Sequence, residues 1–111
     1  MASNPLIFWQ KGMEYAISKF DAPINDTNKQ KFKQFFGTSP RICAYLWDNI
    51  SQSLPSRCHY FHLLWGLLFL TVYSKETVLC KIVGRVDEKT FRKWNWLVVQ
   101  AISNLKPSVV S

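Results

Sequence analysis

Apolar residues recur at helical spacing through most of the chain, and the sharpest pattern lies between Lys75 and Leu105. There Val78, Leu79, Ile82 and Val83 predict the apolar face of a short helix. Gly84 predicts its end, because glycine takes the left-handed backbone of a helix terminus without a Cβ penalty. After Arg85 and Val86, Asp87 is a good N-cap, and Glu88 sets a second acid beside the positive end of a new helix. Phe91, Trp94, Val98, Ile102 and Leu105 mark the inward side of that longer helix, and Lys106-Pro107 suits its end. Small Cys80 allows the two helices to approach, with Val86 as the buried plug of the turn. Together these signals are the grammar of a helix-turn-helix over residues 75–105. Its outward set is Glu88, Lys89, Thr90, Arg92, Lys93 and Asn95. The connection Gly84-Arg85-Val86-Asp87 is one residue longer than the tightest form of the motif.

Upstream, the pattern predicts a central helix and two others. Residues 58–73 are apolar on nearly every face, which fits either a buried core helix or a membrane span. Length decides for the core helix, since a span needs about 20 apolar residues and this run is shorter and opens with His59 and His62. Gly66 then permits a close helix crossing, and Ser74 is the expected cap of the helix that follows. Thr38-Ser39-Pro40 starts another helix, with a hydroxyl cap and proline in the first turn. It runs to about Ser53 with Ile42, Cys43, Leu46, Trp47 and Ile50 on one stripe. A shorter helix capped by Thr27 turns Phe32, Phe35 and Phe36 one way and ends at Gly37. Residues 1–27 read as a partly irregular arm, with an apolar patch at 6–9, two turns of helix near 13–20 and a loop at 21–26. The expected fold is all-α: an arm over 1–27, about four main helices over 28–107 with the helix-turn-helix packed on the central apolar one, and a truncated tail at 108–111.

Composition narrows the function classes. Net charge is +7 and 48% of residues are hydrophobic, so the chain can bury a core and favours polyanionic partners. Double-stranded DNA is the expected partner, and not a membrane, because basic residues gather on the motif suited to reading it. Lys29, Lys31, Lys33 and Arg41 form a second basic group fit for phosphate contacts, which position a protein without reading sequence. Cys43, Cys58 and Cys80 are an odd set without paired spacing, which argues against a disulfide framework. The N-terminal residues have no basic leader, long apolar run or small-residue cleavage site, so a nuclear or cytoplasmic location is expected. Cys58, His59 and His62 lack the second ligand pair of a structural zinc site, and the histidines are expected at the solvent end of the buried helix. No glycine-rich phosphate loop occurs, and nothing equips a cysteine–histidine pair with an oxyanion hole. The expectation is therefore no catalysis, no cofactor and no metal.

Three blocks carry a family resemblance: FFGTSPRICAYLWDNI, HLLWGLLFLTVYSKE and VGRVDEKTFRKW. From Phe35 onward, over roughly two-thirds of the chain, the sequence resembles the N-terminal region of eukaryotic DDE transposases of the PIF/Harbinger and related insertion-sequence types. In that family the region is a helix-turn-helix DNA-binding module ahead of a catalytic domain, and none of that domain's acidic motifs is present here. The resemblance implies recognition of element ends through Lys89, Thr90, Arg92 and Lys93. Placed on the motif, Thr90 and Arg92 are expected toward the bases, with Lys81, Arg85, Lys89 and Lys93 on phosphates. A missing catalytic subunit would have to supply activity, and a transposase remnant without a present role is a further alternative. A helical interaction module is another, with Trp96, Leu97 and Val99 forming a homodimer face.

Overall fold

The structure, a computed structural model, describes residues 3–72, 76–84 and 86–110, with the backbone alone at 76–77 and 105–110. The expected cap Ser74 and the candidate contact Arg85 lie outside the described residues. Six α-helices and one 3-10 turn account for the elements, and no strand occurs among the described residues.

Helix α1, Pro5–Ile17, replaces the expected irregular arm. Asn4 accepts the Leu6 N–H at 3.0 Å and Pro5 opens the first turn, the same cap-then-proline start that marks Ser39-Pro40. Phe8, Trp9 and Met13 are buried, so this helix is part of the core. The Trp9 indole N–H donates to the Ala22 carbonyl at 3.0 Å and ties the following loop to it. Ser3 donates to Asp48 from both its N–H and its hydroxyl, fixing the start of the chain on the third helix.

Helix α2, Asp26–Phe36, begins two residues earlier than a Thr27 cap would allow. Asn25 is the cap, its side-chain oxygen accepting the Asn28 N–H at 2.9 Å. Phe32 and Phe36 are buried, and Gly37 ends the helix at φ +76° as expected. Helix α3, Pro40–Ile50, is capped by Ser39 and followed by the 3-10 turn Ser51–Ser53. Its inward face is Cys43, Ala44, Leu46 and Ile50, while Ile42, expected on that stripe, is exposed. Ala44 takes its place because the contacting face is rotated toward α1.

Helix α4, Tyr60–Thr71, is the centre of the fold, and every residue from His62 to Leu68 is buried. Against it pack α1, α2, α3, α5 (Glu76–Ile82) and α6 (Glu88–Val110), the last most extensively. Gly66 sets the distance to α6, since a Cβ there would lie 2.7 Å from Val98 Cγ1. Helix α6 runs past the expected stop at Lys106-Pro107 to Val110. No helix among the described residues is long and apolar enough to cross a membrane.

Enlarging Gly66 should therefore test the α4–α6 crossing directly. Gly66→Ala is expected to lose about 1–3 kcal/mol in urea unfolding, as overpacked cores do. Adding Val98→Ala should recover part of that loss, so the double variant is less destabilised than the two single costs added together.

Candidate nucleic-acid interface

The connection between α5 and α6 has the punctuation the sequence predicts. Gly84 adopts φ +105° in open space, so conformation and not crowding requires the glycine. The Val86 N–H reaches back to the Cys80 carbonyl at 3.1 Å, a six-residue closure of the helix end. Val86 is half-buried against the core, and Cys80 is buried. Asp87 accepts the Thr90 N–H at 3.3 Å and so caps α6, with Glu88 in its first turn. Leu79 and Val83 anchor α5 in the core, whereas Val78, expected on the same face, is 46% exposed. A helix of 7 residues buries only a narrow stripe, and Val78 lies beside it.

Five of the six candidate contact residues are described. Lys81, Lys89, Thr90, Arg92 and Lys93 are all exposed, as is Glu88. On α6 the spacing of Lys89, Arg92 and Lys93 places them along one outward stripe. The Lys93 ammonium stands 5.0 Å from the centroid of the Trp94 ring, close enough for a cation–π contact. The basic residues of α2, Lys29, Lys31 and Lys33, are exposed too, as is Arg41 on α3.

Asn95 departs from the outward set and is 4% exposed. It stands four residues after Phe91 and three before Val98, both fully buried, so helical periodicity turns it toward α4. A Cβ on Gly66 would lie 3.7 Å from its Oδ1, which is buried without a hydrogen-bond partner. Beside it, Phe69, Arg92, Asn95, Trp96 and Val99 line a groove of about 290 Å³. Trp96, at 66% exposure, stands at its edge and Phe69 is also exposed. The sequence placed Trp96 and Val99 off the main stripe but missed their meeting with Phe69, which lies inside a run that reads as continuous core.

The histidines divide. His59, the N-cap residue of α4, is exposed, whereas His62 is buried and not at the solvent end as expected. Its ring stacks on Trp94 at 4.5 Å and meets Trp65 edge-on at 4.6 Å. The imidazole Nδ1 accepts the His59 backbone N–H at 2.9 Å, so it stays unprotonated in this arrangement. Burial first, and His59 second, lowers the His62 pKa to about 4. Cys43, Cys58 and Cys80 are buried and form no disulfide, and burial pushes the first up to about 12 and the second to about 11. Among the described residues no group of three or more His, Cys, Asp or Glu comes together to hold a metal.

No family model, curated protein or solved structure matches this chain.

The buried His62 makes stability pH-dependent with a fixed sign. Its folded pKa lies below its unfolded value, so its stabilisation is complete above about pH 6.5 and is lost as pH falls toward about 4. Most carboxylates titrate below this range, so the upper part of the window isolates the histidine. Urea unfolding should show a loss of about 1–2 kcal/mol between pH 7 and pH 5, and His62→Gln should flatten that slope.

Proposed function

We propose that this chain is a DNA-binding module that docks on duplex DNA through the front of α6, and that it descends from a transposase. The observation that carries this reading is the exposed stripe of Lys89, Thr90, Arg92 and Lys93 on a helix started by the Asp87 cap just after the Gly84 turn. In a helix-turn-helix, that is the part of the second helix that enters the major groove. A net charge of +7 supplies the sequence-independent attraction. Thr90 and Arg92 are assigned to base edges, and Lys81, Arg85, Lys89 and Lys93 to phosphates. The exposed lysines of α2 add backbone contacts that fix position but not sequence.

The transposase descent rests on the resemblance of the Phe-Phe-Gly-Thr-Ser-Pro block and the block from Val86 to Trp94. In this proposal the module recognises element ends in the nucleus and leaves catalysis to another domain or subunit. A second reading has its own observation: Trp96 is exposed, and Phe69 and Leu70 on α4 are exposed too. An apolar surface of that kind also suits a homodimer, and paired half-sites are read by dimers.

Fluorescence anisotropy with a labelled duplex, across a salt series, tests the first reading. Binding should weaken steeply with salt, and the Lys89→Ala, Arg92→Ala, Lys93→Ala triple variant should show a shallower salt slope and a lower affinity. Equal binding by both proteins would assign the affinity to generic basic surface and remove α6 from the interface. Within a cognate site, Arg92→Ala should cost about 1–3 kcal/mol and relax specificity at one base pair. An equal loss on scrambled duplex would instead place Arg92 on a phosphate.

A further inference from the structure

The groove between α4 and α6 shares only Arg92 with the duplex reading, and its lining is specific in chemistry. Trp96 and Phe69 offer two aromatic side chains, Val99 an apolar wall, Asn95 a carboxamide and Arg92 a guanidinium. Trp96 is the one exposed tryptophan among the described residues. Asn95 is more than nine-tenths buried, and its Oδ1 has no partner in the protein. That oxygen is buried beside Gly66, and an unpartnered carbonyl on a residue that lines an apolar groove is costly unless the side chain turns to something that meets it. An aliphatic occupant would leave it unmet. A flat aromatic ring bearing hydrogen-bonding groups on its edge would not, because the amide's terminal torsion is broad and can turn to present its donor or acceptor.

We infer that this groove takes an unpaired nucleobase from a single-stranded nucleic acid. The base stacks on Trp96, its polar edge meets the Asn95 amide, and Arg92 attends the adjoining phosphate. Base stacking on exposed aromatic residues within a cationic surface is the general physics of single-strand binding. The chain's charge of +7 attracts the strand, and Arg92 connects the groove to the stripe that includes Lys89 and Lys93. Among the possible occupants, a nucleobase is the one that answers the aromatic rings, the amide and the cation together. This inference stands apart from duplex binding and does not require it.

The test is a titration of the full chain with single-stranded oligothymidylate, following tryptophan emission, beside an abasic strand of the same length. The base-bearing strand should quench emission saturably and bind more tightly than the abasic one. Trp96→Ala should abolish the quenching and weaken binding roughly 5- to 100-fold, while Trp96→Phe keeps most of the affinity. Because Trp96 is exposed, neither change should disturb the fold, which circular dichroism checks. Asn95→Leu should retain binding but erase any preference between oligothymidylate and oligoadenylate. Equal affinity for abasic and base-bearing strands would overturn the inference, as would unchanged affinity in Trp96→Ala. A concentration-dependent dimer in sedimentation, dissociated by Trp96→Ala, would give the groove to a second copy and overturn it too. The two proposals separate in the same samples: lost duplex binding with retained oligothymidylate quenching removes only the duplex reading.

Discussion

The close approach of α4 and α6 at Gly66 and Val98 is the contact on which the rest of the molecule depends. Helix α4 is apolar on all sides and becomes stable only when every side is covered. Helices α1, α2 and α3 cover part of it, and α6 covers the largest remaining share. Without a side chain at Gly66, Val98 rests against the backbone of α4 and the helix axes come together. His62, one turn earlier on α4, then meets Trp94 ring to ring, and Trp65, next to Gly66, meets Phe91. Three residues beyond Gly66, Phe69 emerges beside Trp96 and the groove opens. The buried aromatic cluster and the exposed groove are thus two results of one crossing distance.

That distance also accounts for the orphaned amide. Asn95 lies on the inward side of α6 between Phe91 and Val98, where a leucine would pack without penalty. A buried amide without a partner costs about 1–3 kcal/mol, enough to matter in a domain of this size. His62, by contrast, is buried with its Nδ1 satisfied by the backbone of its own helix start. The same crossing therefore holds one polar side chain that the fold provides for and one that it does not.

What was legible in the sequence follows the strength of local signals. Gly37, Ser39-Pro40, Gly84 and Asp87 each act through their own backbone or the next few residues, and each is found where expected. The buried run around Gly66 was equally plain, since its length is too short for a membrane span and leaves a core helix. The signal for α1 was present in Asn4-Pro5 but was outweighed by the short, unperiodic patch after it. Helix rotation was harder. Ile42, Val78 and Asn95 all sit at the margin of an apolar stripe, where a modest rotation exchanges inside for outside. That choice belongs to the neighbouring helix, and nothing local encodes it. For the same reason the groove was invisible: Phe69 and Trp96 are 27 residues apart and line one groove only through the packing of α4 on α6.

The charge of the surface is a consequence of how the acids are used. Of seven acidic residues, Asp48 accepts both donors of Ser3, Asp87 caps α6, and Glu14 pairs with Lys11. Asp26 and Glu88 stand in the first turns of α2 and α6, where negative charge offsets the helix dipole. The Ser3 hydroxyl and N–H hold the Asp48 carboxyl below the usual carboxylate range, so it stays charged in that clamp. Most of the negative charge is thereby committed to helix starts and to one chain end. Lys11 pairs with Glu14 and Lys93 lies over Trp94, while Lys29, Lys31, Lys33, Arg41, Lys81 and Lys89 stand exposed. Exposed basic residues on α2 and on α6 are what remain after the helices have been capped. A net charge of +7 on such a surface favours association with polyanions in general, as a long-range effect of the whole charge distribution.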